Sequence, residues 1–378
     1  MHIQSLKLFI LVFFISIPTI GQEESSKHSH KSSRIINFPD IPGYKTLKTD
    51  LHIHSVFSDG YVWPTIRVQE ALRDGLDAIS LTEHLEYQPH KEDIPHPDRN
   101  RSFKLALSEA KNHNLLVING AEVTRSMPPG HVNAIFITDA NVLLKEKAVD
   151  AFQEAKKQDA FMFWNHPNWI SQKPDGIAVI TDMHKQLIKE GKLNGIEVVN
   201  EHTFSEEALQ IALDHNLTIM GTSDIHGLID WEFNVPNGGH RPITLVFAKE
   251  RTIPALQEGL LNRRTVVWFD NSLIGSSEFL VPLIKESLQV KKVAILREGT
   301  FIQTVEIENT SDVDFILQNT SDYTLHRNTN VFTVKAHTSI TLEVKTLKIK
   351  TEFDLKFKVL NAIIAPKKYA EIQFKIKT

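Results

Sequence analysis

Short apolar runs alternate with amphipathic segments from about residue 45 to residue 226. Seven of these runs have the length and composition of strands: TDLHIH, DAISLTEH, NLLVINGAEVT, VNAIFIT, AFMFWNHP, GIEVVN and LTIMGTSDIH. Between several of them lie segments with helical periodicity: TIRVQEALRDG, RSFKLALSEAKNH, KEKAVDAFQEAKKQ, TDMHKQLIKEG and SEEALQIALDHN. This alternation predicts parallel strands joined by crossover helices. Seven strands favour a β/α barrel over a simple open sheet.

After the seventh run, the segment RPITLVFAKERTIPALQEGLLNRRTVVWF adds a strand, a helix and a strand, and SSEFLVPLIKESLQ adds one more helix. The pattern changes after about residue 290. The later runs VEIENTSDVDFILQNT, NVFTVKAHTSITLEVKTL, FDLKFKVLNAII and AEIQFKIKT alternate apolar and polar residues without a helical segment between them. That pattern predicts a small antiparallel β-sandwich of the immunoglobulin-like kind. We therefore place a barrel domain at residues 45–289 and a sandwich domain at residues 290–378.

The first residues have the pattern of an export signal. Lys7 supplies a positive charge, residues 8–17 are almost wholly apolar, and small or polar residues follow. This arrangement predicts a signal peptide over residues 1–21, with an uncleaved N-terminal anchor as the alternative. No cysteine follows the apolar run, which excludes a lipid-anchored lipoprotein. Residues 22–44 are polar and predict a flexible leader, so we expect an exported protein, periplasmic in a Gram-negative bacterium, without a membrane anchor after cleavage.

Composition limits the chemistry available to the chain. It contains no cysteine, so any metal must be held by imidazole nitrogen or by oxygen atoms. Its formal net charge is −4, which gives no electrostatic footprint for nucleic acid. Among its 18 histidines, several stand at the ends of predicted strands, and these are the candidate ligands.

Ionisable side chains follow most of the predicted barrel strands. In chain order they are His52 and His54, Glu83 and His84, Glu122, His131, His166, and Asp224 and His226. The carboxyl ends of barrel strands converge on one face, so these side chains are expected to meet there. In a strand, residues two apart point to the same side, so His52 and His54 present two imidazoles to one face. Imidazoles and carboxylates together predict a site for Zn, Mn or Fe.

The ordered motifs DLHIHSVFSDG, LTEH, GAEVT, NHP and GTSDIH resemble those of the PHP (polymerase and histidinol phosphatase) family of metallophosphoesterases over roughly residues 48–247. The resemblance implies a distorted seven-stranded β/α barrel that binds two or three divalent metal ions at its strand ends. It further implies that His52, His54, Glu122 and Asp224 hold one metal, that Glu122 bridges to a second completed by His131 and His166, and that Asp59, His84 and His226 hold a third. TEH stands where TDH is commoner in the family, and Glu83 is not expected to bind metal. The β-rich C-terminal part resembles that of exported phosphodiesterase-like members.

Groups that assist the reaction are harder to identify from the sequence. Arg125 and Arg241 are candidates to bind phosphate, with surface or helix-capping roles as the alternative. His240 is a candidate proton donor to the leaving group, with a loop position as its alternative. Glu197 is expected to orient the site from behind the ligands. Loop aromatics, Trp63, Trp169, Trp231 and Phe233, either line a substrate pocket or pack loops onto the barrel, and packing is favoured for Trp63.

The leading hypothesis is therefore an exported metal-dependent phosphoesterase that hydrolyses small organic phosphate monoesters or diesters. A metal-bridging hydroxide would attack phosphorus. Export disfavours histidinol phosphate as substrate and disfavours a polymerase partner. Two alternatives remain: an envelope binding module with structural metals, and a barrel hydrolase of amides or lactones, which usually needs a metal-bridging lysine that no matching strand end supplies. The oligomeric state stays open.

Overall fold

The computed structural model describes residues 35–296 and 298–377. Its strands are β1 (Lys45–Ile53), β2 (Ala78–Leu81), β3 (Leu116–Val123), β4 (Val132–Ile135), β5 (Phe161–Trp164), β6 (Gly195–Asn200), β7 (Thr203–Phe204), β8 (Thr218–Thr222), β9 (Ile243–Ala248), β10 (Thr265–Phe269), β11 (Ser272–Gly275), β12 (Leu288–Ile295), β13 (Ile302–Asn309), β14 (Phe315–Asn319), β15 (Val331–Val334), β16 (Ser339–Lys345), β17 (Glu352–Ala365) and β18 (Lys368–Lys377). Its α-helices are α1 (Pro64–Arg73), α2 (Arg101–Ala110), α3 (Ala148–Lys157), α4 (Asp182–Lys189), α5 (Glu206–His215), α6 (Ile229–Glu232), α7 (Ile253–Leu261) and α8 (Ser277–Ser287).

The seven predicted barrel strands all form. β1, β2 and β3 are parallel neighbours, and so are β5, β6 and β8. β4 runs antiparallel to both β3 and β5, because the loop of residues 124–131 is too short for a crossover helix. The barrel is therefore distorted, and the expectation of parallel strands throughout is corrected at β4.

Strand β8 closes the barrel against β1 at the ends that carry ligands. The backbone N–H of Asp224 donates to the carbonyl of His52 at 2.9 Å, and that of His54 donates to the carbonyl of Ile225 at 3.1 Å. Further along β8, a Cβ on Gly221 would lie 2.2 Å from a methyl group of Val267. Glycine at this position permits the close approach of β8 and β10.

The sandwich forms as predicted, with β12, β13 and β16 in one sheet and β14, β15, β17 and β18 in the other. It begins at β12, two residues before the predicted border. β17 pairs in parallel with β11, aligning Leu273 with Ala362, so the barrel-side sheet continues into the sandwich. One hydrophobic core contains residues of both parts, from Ile53 of β1 to Ile376 of β18.

The predicted leader ends earlier than residue 44. Ile36 is 1% exposed and its backbone N–H donates to the carbonyl of Asp74 at 3.2 Å, and Ile41 is also buried. These two isoleucines join the hydrophobic core, so residues 35–44 belong to the folded part. The predicted signal peptide and residues 22–34 lie outside the described residues. Within the part of the chain that the structure describes, no helix is long and apolar enough to cross a bilayer.

Candidate metal centre

Nine side chains from distant parts of the chain meet at the carboxyl ends of the barrel strands: His52, His54, Asp59, His84, Glu122, His131, His166, Asp224 and His226. Seven of them fall into three groups, and Asp224 and His166 each pair with members of these groups. Ligand atoms lie within 4.8 Å of one another in the groups His54–Asp59–His84–His226, His52–His54–Glu122 and His84–Glu122–His131. The convergence expected from the strand pattern is therefore present in the structure.

Glu122 lies at the centre of the cluster and is fully buried. Its Oε1 atom is 2.7 Å from Nδ1 of His131. Its Oε2 atom is 2.9 Å from Nδ1 of His84 and 3.3 Å from Nε2 of His54. The two oxygens of one carboxylate thus face different imidazoles, which is the geometry needed to bridge two cations.

His52 and His54 point their Nε2 atoms at the same place, 3.0 Å apart. Oδ1 of Asp224 lies 3.0 Å from each of these nitrogens. Asp224 has a backbone φ of +46°, a conformation that is unfavourable for a side-chain-bearing residue. Strained backbone of this kind is common at functional sites, and here it carries the carboxylate to the two imidazoles.

Asp59, in the loop after β1, contacts the other members of the group His54–Asp59–His84–His226. Its Oδ2 atom is 3.3 Å from Nε2 of His84, and its Oδ1 atom is 3.2 Å from Nε2 of His226. His166 stands further off, with Nε2 3.8 Å from Oε1 of Glu122 and 3.9 Å from Oδ2 of Asp224. His84 also lies close to Glu122 and His131, and the assignment of His166 to the metal held by these two residues stays a prediction.

The electrostatics of the cluster favour bound positive charge. Burial lowers the pKa of His84, but the carboxylates of Glu122 and Asp59 outweigh burial and raise that pKa to about 11. Burial also lowers the pKa of His226, and Asp59 raises it to about 9. Burial raises the pKa of Glu122, yet the imidazoles of His84 and His131 hold it well below its usual range.

The donor atoms fit divalent cations. Among the described residues, four buried atoms of the cluster lie close to other ligand atoms but form no hydrogen bond of acceptable geometry: Oδ1 of Asp59, Oε2 of Glu122, Nδ1 of His131 and Oδ1 of Asp224. Leaving such atoms buried and unpaired is costly, and a cation at their centre removes that cost. The ligands are imidazole nitrogens and carboxylate oxygens, the set that suits Zn, Mn or Fe.

A second layer of side chains fixes the ligand rings. Glu197 accepts a hydrogen bond from Nδ1–H of His52 at 2.8 Å, and its other oxygen accepts from the backbone N–H of His166 at 2.7 Å. Asn200 donates to both Glu197 and Asp224, at 2.8 and 3.1 Å. Glu197 therefore has the orienting position expected for it.

Glu83 acts on the ligands through serines rather than by binding metal. Nδ1–H of His54 donates to the hydroxyl of Ser58 at 3.1 Å, and that hydroxyl donates to Glu83 at 2.6 Å. Glu83 also accepts from the backbone N–H of Ser55 at 3.0 Å. This chain holds His54 in the tautomer whose Nε2 lone pair faces the site.

Three supporting residues escaped the sequence analysis. Asn165 donates to Oε1 of Glu122 at 3.1 Å. The hydroxyl of Thr124 lies 2.7 Å from Nδ1 of His84. Arg67, buried on α1, donates to the carbonyls of His54, at 2.9 Å, and of three consecutive residues after β8. Asn165 and Thr124 adjoin ligand motifs and could have been found there, whereas no local pattern marks Arg67.

The structure does not bring the two candidates after β8 to the site. Arg241 is fully buried in ion pairs with Asp50 and Asp74, at 3.2 and 2.8 Å, so it cannot reach a substrate phosphate. His240 stacks on Trp268 at 3.4 Å and borders a different depression. Both expectations are corrected: the Gly-rich segment that carries these residues turns back to the barrel wall instead of towards the ligands.

Arg125 remains near the cluster, on the loop that joins Glu122 to His131. Its guanidinium pairs with Glu86 at 2.8 Å and donates to the carbonyl of Lys145 at 2.5 Å. Both contacts use Nη2, while Nε has no hydrogen-bond partner among the described residues, so the phosphate-binding role of Arg125 stays a prediction.

A cavity of about 120 Å³ opens onto the cluster. Its lining residues are Asp59, His84, His131, His166, Trp169, Asn200, Glu201, Asp224 and His226. Among the loop aromatics, Trp169 therefore lines the pocket, Phe233 is buried in the core, and Trp63 packs on Phe57 with ring centroids 5.2 Å apart. Trp231 is 81% exposed. Glu201, at the end of β6, was missed although it stands at a strand end like the ligands.

A barrel with this cluster at its strand ends, followed by an immunoglobulin-like sandwich, defines a two-domain metal-dependent hydrolase. A protein of that description from Bacteroides vulgatus, a two-domain protein containing a predicted PHP-like metal-dependent phosphoesterase, is 46% identical to this chain. The likeness covers 90% of this chain and 98% of that one, with a TM-score of 0.84. The chain thus belongs to the PHP-like metal-dependent phosphoesterases.

The other comparisons add less. Residues 288–375 match the model of a family described as an Ig-like domain (DUF5001), which agrees with the sandwich. A metal-dependent phosphoesterase structure from Bifidobacterium adolescentis is 18% identical, over 47% of this chain and 87% of that one. Its TM-score of 0.34 is too low to support any statement about this chain. The comparison with curated proteins gives no match.

Proposed function

We propose that this phosphoesterase works with three divalent ions and hydrolyses small organic phosphate monoesters or diesters outside the cytoplasm. The observation that carries the trinuclear proposal is the position of Glu122, whose Oε1 atom faces His131 while its Oε2 atom faces His84 and His54. Asp59, with His84 and His226, supplies a further group on the other side of His54. Sharing of residues between groups keeps the ions close together.

Bound ions would supply a hydroxide nucleophile at neutral pH and would neutralise charge that develops on phosphoryl oxygens. The protein's own side chains position the metal ligands. Glu197 and Ser58 hold the rings of His52 and His54 so that their Nε2 atoms face the site. The cavity of about 120 Å³ opens onto the ligands and would admit the phosphoryl group of a substrate.

Export completes the proposal. It rests on the apolar run of residues 8–17 after Lys7 and on the absence of cysteine from the chain. A periplasmic enzyme of a Gram-negative bacterium would act on scavenged small molecules, with no polymerase partner and no anchor after cleavage near residue 21. Mass spectrometry of the protein isolated from the cell envelope of its native host determines the N-terminus and so tests the cleavage. A mature chain that still begins at Met1 would contradict export by this signal.

The activity is tested on the purified mature chain. Bound metal is measured by mass spectrometry, and bis-p-nitrophenyl phosphate, p-nitrophenyl phosphate and an anilide are assayed in parallel. We expect about three ions per chain and phosphoester turnover that a chelator abolishes. Glu122→Gln should lower both the metal count and the turnover, whereas Glu371→Gln, an exposed carboxyl of the sandwich, should change neither.

Two results would contradict the proposal. Full metal occupancy with no hydrolysis of any phosphoester over a broad substrate panel would favour a binding module. Turnover of the anilide but not of the phosphoesters would indicate a barrel hydrolase of another bond. A stoichiometry of two ions, with turnover intact, would overturn the trinuclear part alone.

A further inference from the structure

Exposed aromatic side chains are concentrated on the face of the barrel that carries the metal centre. Among the described residues, six aromatic side chains are strongly exposed: Tyr61, Trp63, Tyr87, Trp169, Trp231 and Phe301. The first four lie in loops that follow β1, β2 and β5, Trp231 lies on α6 after β8, and Phe301 belongs to the sandwich. Leaving large rings in water forgoes burial energy, so the two exposed rings that contact imidazoles of the cluster, Trp169 and Tyr87, are the ones that point to a ligand.

Trp169 is the ring that lies closest to the chemistry. It lines the cavity and remains 43% exposed. Its ring centroid is 5.5 Å from that of His131 and 5.2 Å from that of His166, and its backbone N–H donates to the carbonyl of His166 at 2.9 Å. The indole is thus held against two imidazoles of the cluster while much of its surface stays open.

Tyr87 extends the same row of rings on the opposite side. Its ring lies 6.0 Å from that of His84, and His84 lies 5.4 Å from His131. Tyr87 is 53% exposed. The row Trp169–His131–His84–Tyr87 therefore crosses the metal centre and ends on either side in an exposed aromatic ring.

The charges at the cavity restrict what these rings can accept. No lysine or arginine is among its lining residues, and Glu201 stands beside Asp224 in its wall. The described lining therefore offers no cationic side chain to a further phosphate of the leaving group, whose positive partners would be the bound ions alone. An uncharged flat ring can stack on an exposed indole without any charged partner.

We infer that the substrate's leaving group carries a flat aromatic ring, that Trp169 stacks on it, and that the substrate has a single phosphoryl group. Tyr87 supplies a second contact at the far side of the mouth. This inference rests on the proposed phosphoesterase activity and names its substrate class: aryl-bearing alcohols or nucleosides as their phosphate esters.

Matched substrate pairs test it. Benzyl phosphate is compared with propyl phosphate, and adenosine 5′-monophosphate with ribose 5-phosphate, because the members of each pair differ chiefly in the ring. Stacking of a base on an aromatic side chain is worth about 5-fold to 150-fold in binding. We expect the wild-type, metal-loaded enzyme to prefer the ring-bearing member of at least one pair by about tenfold or more in kcat/KM. Preference confined to the first pair identifies aryl alcohols, and preference in the second identifies nucleosides.

Variants locate the preference. Trp169→Ala should bring the kcat/KM ratio of the preferred pair close to one, mainly through KM, whereas Trp169→Phe should keep most of it. Tyr87→Ala should lower the ratio less, and Phe301→Ala, an exposed ring remote from the site, should not change it. Metal content is measured for each variant, and Tyr87→Ala carries the test if Trp169→Ala loses metal.

The outcomes separate the two proposals. No turnover of any phosphoester by the metal-loaded wild type overturns the proposed function. Turnover of both members of each pair at equal rates, or a ring preference that survives Trp169→Ala and Tyr87→Ala, overturns the stacking inference and leaves the activity standing.

Discussion

Nδ1 of His52 lies 2.8 Å from Oε1 of Glu197, and both side chains are buried at the end of the barrel. Burial lowers the pKa of His52, but the carboxylates of Asp224 and Glu197 outweigh it and raise that pKa well above its ordinary value. The same contact turns Nε2 towards the cluster. Glu197 is therefore a positioning residue for a metal ligand.

Glu197→Gln should weaken metal binding about 10-fold to 100-fold, because it removes the negative charge that orients His52 and increases its basicity. The dissociation constant is measured by competition with a chromophoric chelator. Glu371→Gln, which changes an exposed carboxyl in β18, is the matched control. An unchanged dissociation constant in Glu197→Gln would show that the contact does not support the ligand.

The hydrogen bonds that link Glu83, Ser58 and His54 lead to a separate prediction. Ser58→Ala leaves the Nδ1–H of His54 buried without its acceptor, at a cost of about 1–3 kcal/mol. We expect a lower melting temperature of the metal-free protein and a lower metal occupancy. Ser108→Ala, on the exposed side of α2, provides the control. Equal melting temperatures and metal contents for Ser58→Ala and wild type would show that these hydrogen bonds do not support His54.

Arg241 separates a structural role from a catalytic one. Arg241→Met removes one partner of a buried ion pair and leaves Asp50 and Asp74 uncompensated, so the free energy of unfolding should fall by about 3–5 kcal/mol. Urea unfolding measures this loss. The folded fraction should keep its full metal content, since Arg241 contacts no ligand of the cluster. An Arg241→Met variant that is as stable as wild type but defective in substrate binding would instead support a role for Arg241 in binding substrate.

His184 predicts a pH dependence of stability. Burial lowers its pKa below the ordinary value of 6.5, and its ring stacks on Trp164 at 3.9 Å. The unfolded chain therefore binds a proton at higher pH than the folded one, so this group's contribution is lost as pH falls below about 6.5. The stability advantage of wild type over His184→Gln should shrink between pH 8 and pH 5.5 in urea unfolding.

The exposed His113 supplies the comparison for that measurement. His113→Gln is measured at the same two pH values, so that effects common to any histidine-to-glutamine change can be subtracted. A constant difference for His184→Gln would mean that His184 titrates alike in the folded and unfolded chains.

Much of the site was predictable because its ligands obey a local rule. His52, His54 and Asp224 stand where apolar runs end, and a closed barrel brings such ends together whatever the loops do. Glu197 was predictable in the same way. The prediction that Arg241 binds phosphate was wrong, because the sequence of a Gly-rich loop after the last ligand pair does not indicate whether its side chains are buried or exposed.

What the sequence by itself determined is the order of strands and helices, the sandwich that follows them, and the set of imidazoles and carboxylates that end the strands. These features repeat with the period of the backbone and need no distant partner to be recognised. Only the tertiary structure decided that β4 runs antiparallel, that residues 35–44 pack into the core, and that Arg241 pairs with Asp50 and Asp74. Each of these depends on contacts between residues far apart in the chain, whose distances and burial are set by packing and by charge pairing in the folded state.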